Sequence, residues 1–165
     1  MQQLYHTDRL ELSLVKTSDA DFIFELLNTE GWIKFIGDRK IETREDAQQY
    51  IQKILNNPQM IYWVARLKKR KIPIGMISFI KRDYLDHHDI GFAFLPAYFS
   101  KGYATEATKR ILSDVMQDPN HKIILATTMP GNVPSIRLLE KAGFHFKKEI
   151  ENEQVRLLLY SVKPG

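Results

Sequence analysis

From Asp89 to Thr128 the chain reads strand, glycine-bearing turn, helix, strand, and no other stretch constrains the fold as tightly. Asp89-Ile90-Gly91-Phe92-Ala93-Phe94-Leu95 is strand-like, and Pro96, which has no N–H to give a sheet, ends it. The turn Ala97-Tyr98-Phe99-Ser100-Lys101-Gly102 leads into a helix with Ala104, Ala107, Ile111, Val115 and Met116 on one face. Asp118-Pro119-Asn120 breaks that helix. Ile123 to Thr128 is nearly continuous apolar sequence, as a strand buried on both faces requires. Two strands joined through a helix are expected to lie parallel, with a right-handed crossover.

The flanking sequence adds elements that do not fit an all-parallel sheet. Leu10, Leu12 and Leu14 alternate along a strand with one buried side. Ser18 or Asp19 caps a helix that places Phe22, Ile23, Leu26 and Leu27 at helical spacing. A loop with Gly31, Trp32, Phe35, Ile36 and Gly37 follows. Thr43 and Asp46 form a capping box with the shorter acid, opening a helix to about Leu55 that Asn56-Asn57-Pro58 stops. Ile61 to Leu67 and Ile72 to Lys81 are strands joined by the basic run Lys68-Lys69-Arg70-Lys71. Asn132 is an N-cap, Pro134 suits a first turn, and Gly143 suits a C-terminal cap. Phe144 to Ile150 and Val155 to Tyr160 close the chain as two strands, with Asn152 in the turn between them. The order is βααβββαβαββ, without a repeat or linker, so residues 1–165 are expected to form one domain.

Composition removes several classes of function. With no cysteine there is no disulfide, thiolate metal site or cysteine nucleophile. No cluster has metal-ligand spacing: adjacent His87 and His88 in a strand point to opposite faces, and both are expected in a solvent-side turn. The apolar runs are too short to span a membrane. The start, MQQLYHTDRL, has no apolar stretch of signal-peptide length, so a cytoplasmic chain is expected. A net charge of +4 mildly favours an anionic ligand. The basic run is short, lacks an aromatic stacking platform and reads as a solvated turn, so no nucleic-acid partner is expected.

The turn before the central helix offers an anion site. A helix's first N–H groups lack partners and carry partial positive charge. Side chains from Ser100 to Thr105 are mostly small, Gly102 lets successive N–H groups converge, and Lys101 adds a full charge. The segment reads as a diphosphate cradle, although a plain strand-to-helix connection uses similar residues. It matches neither the Walker loop nor the GxGxxG fingerprint, and it lies mid-chain.

"LPAYFSKGYATEATKRIL" followed by "NVPSIRLLEKAGF" resembles the GNAT superfamily of acetyl-CoA-dependent N-acetyltransferases. With "TDRLELSLVKTSDADFIFELL" at the start, the chain is most similar to the RimJ/RimL-like branch, over essentially Thr7 to Val162. The resemblance implies an α+β fold: an α/β/α sandwich with a mixed, mostly antiparallel sheet and helices on both faces. It makes Ser100, Lys101, Gly102, Tyr103, Ala104 and Thr105 the diphosphate loop of acetyl-CoA. Phe99 stands where the superfamily usually has Gln or Arg, and Ser100 where a glycine is usual. It also implies that the preceding strand is bulged and splays from its neighbour, so that the backbone of Phe92, Ala93, Phe94 and Leu95 lines the pantetheine arm. Asn132 matches an asparagine that meets pantetheine, besides being a cap.

Transfer needs a neutral amine, a polarised thioester and a proton for the leaving thiolate. The tyrosine that many members place seven residues after the asparagine is Leu139 here, which has no proton to give. In the RimL-like branch a serine three after the asparagine is the suggested substitute, and Ser135 holds that place, where it also suits a helix first turn. For the base, Asp89, Asp83 and Glu149 are all open. Glu106 reads as a first-turn charge matched to the helix dipole. Trp32 and Phe35 are either walls of the acceptor pocket or core packing under a loop.

The function implied is transfer of acetyl from acetyl-CoA to a primary amine, a protein N-terminus or a small molecule, by direct attack in a ternary complex. No metal is expected. A binding module of the same fold that holds acyl-CoA without transfer is the alternative. Exposed sheet edges leave a homodimer open.

Overall fold

The computed structural model describes residues 1–164. Its elements are β1 (Leu4–His6), β2 (Leu10–Leu14), α1 (Ala20–Leu27), α2 (Glu30–Phe35), α3 (Arg44–Asn56), β3 (Met60–Leu67), β4 (Pro73–Ile80) and β5 (Asp89–Phe94). Then come α4 (Tyr103–Val115), β6 (Ile124–Thr128), α5 (Val133–Lys141), β7 (His145–Asn152) and β8 (Val155–Val162). All eight strands join one sheet in the order β1-β2-β3-β4-β5-β6-β8-β7, antiparallel except for β5 and β6. This is the expected α+β, mostly antiparallel sheet with helices on both faces.

Two elements exceed the βααβββαβαββ order. β1 is only three residues long, too short to show alternation, yet it buries Tyr5 against Trp63 and pairs with β2. The stretch read as a loop around Trp32 contains α2, a six-residue helix whose N-cap Thr29 accepts a hydrogen bond from the Trp32 N–H. Thr43 and Asp46 form their capping box as expected. Asn152 is not in the last turn: it pairs with Val155, and the turn is Glu153-Gln154, both with positive φ. His88 is not a free turn residue either; it stacks on Phe79 with ring centroids 4.8 Å apart and meets His121 edge-on.

The core has two faces. On one, α4 and α5 cover a cluster that includes Trp63, Ile77, Phe79, Ile111 and Leu139. On the other, α1 and α3 cover Val64, Met76 and Ile80, with Trp32 of α2 in the same cluster. That second face is helix-covered only over β3 and β4. Over β6 and β8 it carries only the small cluster of Leu85, Leu125 and Leu159. The uncovered ground beside α2 is where the sheet's one discontinuity opens.

Candidate active site

β5 is held by β4 along its whole length, from Asp89↔Ile80 to Phe94↔Gly75, without a bulge. The bulge implied for this strand is therefore absent; the register shifts lie elsewhere, at Ala65/Arg66 and Phe146/Lys148. The splay is present. β5 meets β6 at the single register Asp89↔Leu125, supported by a 2.9 Å bond from the Leu125 N–H to the His88 carbonyl. Beyond that point the strands part and leave the β6-facing backbone edge of β5 without a strand partner. A cleft of about 850 Å³ occupies the fork.

The cleft floor follows the pleat. Tyr62, Ser78 and Gly91 are cross-strand neighbours, as are Met76 and Ala93, and all five line the cleft. A Cβ on Gly91 would lie 2.6 Å from Ser78 Oγ, so glycine keeps this part of the floor low. Phe92 and Ala93 also line the cleft, whereas Phe94 and Leu95 are buried and Phe94 lies across Gly75. Asn132 and Ser135 reach the same cleft from the start of α5, where Asn132 Oδ1 caps the helix by accepting from the Ser135 N–H at 3.3 Å. Leu139, one turn on, is fully buried in the core. Trp32 and Phe35 line the same cleft, where a Cβ on Gly131 would lie 3.9 Å from Phe35 Cε1, and Trp32 also belongs to the core.

The loop before α4 lies outside the cleft lining. Ser100 and Gly102 both have positive φ, 62° and 82°. The left-handed conformation at Ser100 accounts for the glycine usual at that place, since a Cβ is disfavoured there. A residue that local sequence reasoning missed holds this loop. The Arg9 guanidinium lies 4.2 Å over the Tyr103 ring and donates to the Lys101 carbonyl at 2.9 Å and to Glu106 at 2.8 Å. Thr7 and the Arg9 backbone N–H also donate to Glu106. Partial burial alone would raise the Glu106 carboxyl, but the hydrogen bonds from Thr7 and Arg9 outweigh it and hold its pKa below the usual range. No periodicity signals a clasp between residues 97 apart.

The three carboxylates weighed as bases have separate fates. Glu149 pairs with Arg156 outside the cleft. Asp83 lines the cleft without an ion-pair partner among the described residues. Asp89 is 2 % exposed at the fork's vertex, and both its oxygens accept from Arg82 Nε, at 2.9 and 3.2 Å. Burial pushes its carboxyl upward, and the Arg82 charge opposes that rise. Among the described residues no group of His, Asp and Glu is placed to hold a metal, and no helix is long and apolar enough to cross a membrane.

The sheet forks between its one parallel pair, a loop with positive φ at Ser100 and Gly102 precedes the next helix, and comparison with known proteins gives the class of protein to which this arrangement belongs. Residues 9–145 match the family model described as Acetyltransferase (GNAT) domain. The uncharacterized N-acetyltransferase YnaD of Bacillus subtilis (strain 168) is 32 % identical over 148 residues, covering 86 % of this chain and 85 % of that protein. In structure, the ribosomal-protein-S5-alanine acetyltransferase from Vibrio fischeri aligns with TM-score 0.82 at 20 % identity, over 99 % of this chain and 97 % of that one. The AAC(6')-Ib structure in complex with paromomycin and acetyl-CoA aligns with TM-score 0.80 at 22 % identity, over 94 % of each chain. The chain belongs to the GNAT acetyltransferase family. It is an acetyltransferase that moves an acetyl group from acetyl-CoA to an amine.

Proposed function

We propose that the protein is a cytoplasmic, single-domain N-acetyltransferase of the RimJ/RimL-like branch, acting on a primary amine by direct attack within a ternary complex. The observation that carries this is one continuous cleft that brings together Ala93, Asn132 and Ser135 with Trp32 and Phe35. A thioester beside the first three and an amine beside the aromatic pair meet without a covalent enzyme intermediate, and positioning of this kind accounts for much of an acyl-transfer barrier. The V. fischeri neighbour's name and the Asn132–Ser135 pair support the branch.

In the proposed arrangement the N–H groups from Ser100 to Thr105, with Lys101, hold the diphosphate. The free edge of β5 from Phe92 to Leu95 and the Asn132 side chain hold pantetheine. The neutral amine nitrogen forms a bond to the thioester carbonyl carbon and the carbon–sulfur bond then breaks. The surplus proton on nitrogen passes through water to Asp89, whose carboxyl burial makes more basic than an exposed aspartate. The thiolate takes a proton from Ser135, and the proton that Asp89 received returns through water to Ser135, so the enzyme ends as it began and sulfur carries the proton that nitrogen lost. The test is initial-velocity kinetics with acetyl-CoA and an amine panel. Intersecting double-reciprocal lines without an acetyl-enzyme burst are expected; parallel lines with a burst overturn direct attack.

A further inference from the structure

The cleft is lined by unpaired charges of both signs. Lys34 and Arg39 line it from α2 and the turn after it, on the flank of β3 and β4. Glu153 lines it from the β7–β8 turn on the other flank, and Asp83 from the turn between β4 and β5. None of these four forms an ion pair among the described residues. The remaining charges, Arg82 and Asp89, satisfy each other. Trp32, Phe35 and Tyr62 line the same cleft.

We infer that the acceptor is a zwitterion, a free α-amino acid with an apolar side chain, whose carboxylate lies toward Lys34 and Arg39 and whose amine lies toward Asp83 and Glu153. This rests on the transfer reading above and narrows it. A polyamine gives Asp83 and Glu153 cationic partners but leaves Lys34 and Arg39 without an anionic one and brings further ammonium groups toward them. A peptide N-terminus has an amide where the amino acid has a carboxylate, and leaves both cations unpaired once the cleft is filled. A zwitterion gives both signs of charge a partner, and the guanidinium of Arg39 suits a carboxylate by its forked geometry. The aromatic walls take the apolar side chain.

The test uses the full chain, acetyl-CoA and three acceptors that share one side chain: L-phenylalanine, L-phenylalaninamide and 2-phenylethylamine. The last two lack the carboxylate. The expected kcat/KM for the acid exceeds that for the amide by about ten-fold, the size of one well-made charged contact. Arg39→Gln and Lys34→Gln should each shrink that ratio, and the double variant should bring it near one. Both positions are exposed, so the variants are expected to fold. An amide used as well as the acid overturns the inference, as does a ratio that survives the double variant. Preference for spermidine over all three overturns it while leaving acetyl transfer standing. Acetylation of no amine by a protein that still binds CoA in calorimetry overturns both readings.

Discussion

At the residue scale, Leu139 holds the place where many family members have a tyrosine, and the acid proposed in its stead is Ser135. Leu139 is fully buried among core side chains, so no proton donor is delivered from its place in α5. Putting the tyrosine back is not expected to restore an acid. Leu139→Tyr adds volume and a hydroxyl to a closed core and should cost about 1–3 kcal/mol without raising turnover; thermal melts and initial rates together check this. Ser135 lies one turn earlier at the cleft. Ser135→Ala removes its hydroxyl while leaving the backbone N–H that Asn132 caps. Turnover should fall by roughly a hundred-fold, the usual contribution of a positioned acid, while calorimetric CoA affinity stays nearly unchanged. Near-normal turnover would make the serine structural and leave solvent as the proton source.

At the scale of elements, the loop before α4 and the β1–β2 turn that clasps it work as one unit. Gly102 has φ of 82°, and a Cβ there would come within 3.3 Å of Arg9 Nη2. Gly102→Val should therefore raise the KM for acetyl-CoA well above its effect on kcat, by straining the loop and pressing on the arginine that braces it. The brace also titrates. Because the Glu106 carboxyl is held below its ordinary value in the fold, the pairing stabilises the protein above the unfolded carboxylate pKa and is lost as pH falls through the folded one. Glu106→Gln should thus melt below wild type at neutral pH, and the two curves should converge on acidification; a gap that does not change with pH removes the charge from the argument. Gly102, the Asn132 cap and the Thr43 box were legible in the sequence because each is a local rule about one turn of backbone. The Arg9–Glu106 clasp was not, since nothing in either neighbourhood marks the other. β1 escaped because one buried tyrosine between two exposed residues makes no pattern. The last hairpin misled because its positive-φ turn uses Glu153 and Gln154 rather than the glycine or asparagine such turns prefer.

For the whole molecule, the question is what stops the fork from running through. The α4 and α5 face is one continuous cluster across the sheet, but the strands of the two halves pair only where β5 and β6 meet, at Asp89 and Leu125, with the small Leu85, Leu125 and Leu159 cluster on the opposite face. The buried Asp89–Arg82 pair sits at that vertex. Removing one member of such a pair strands the other's charge, which costs about 3–5 kcal/mol. Arg82→Met should show a loss of that size at neutral pH. Its pH dependence identifies the cause. Burial already raises the Asp89 carboxyl and Arg82 opposes the rise, so removing Arg82 lifts it further. A group whose pKa is higher folded than unfolded contributes stability that is present below the unfolded value and lost as pH rises through the folded one. The deficit of Arg82→Met relative to wild type should therefore shrink as pH falls toward the range where Asp89 takes up a proton and becomes neutral. Thermal melts of both proteins across that range measure it. A deficit that stays constant with pH would mean that lost packing, rather than a stranded carboxylate, weakens the vertex.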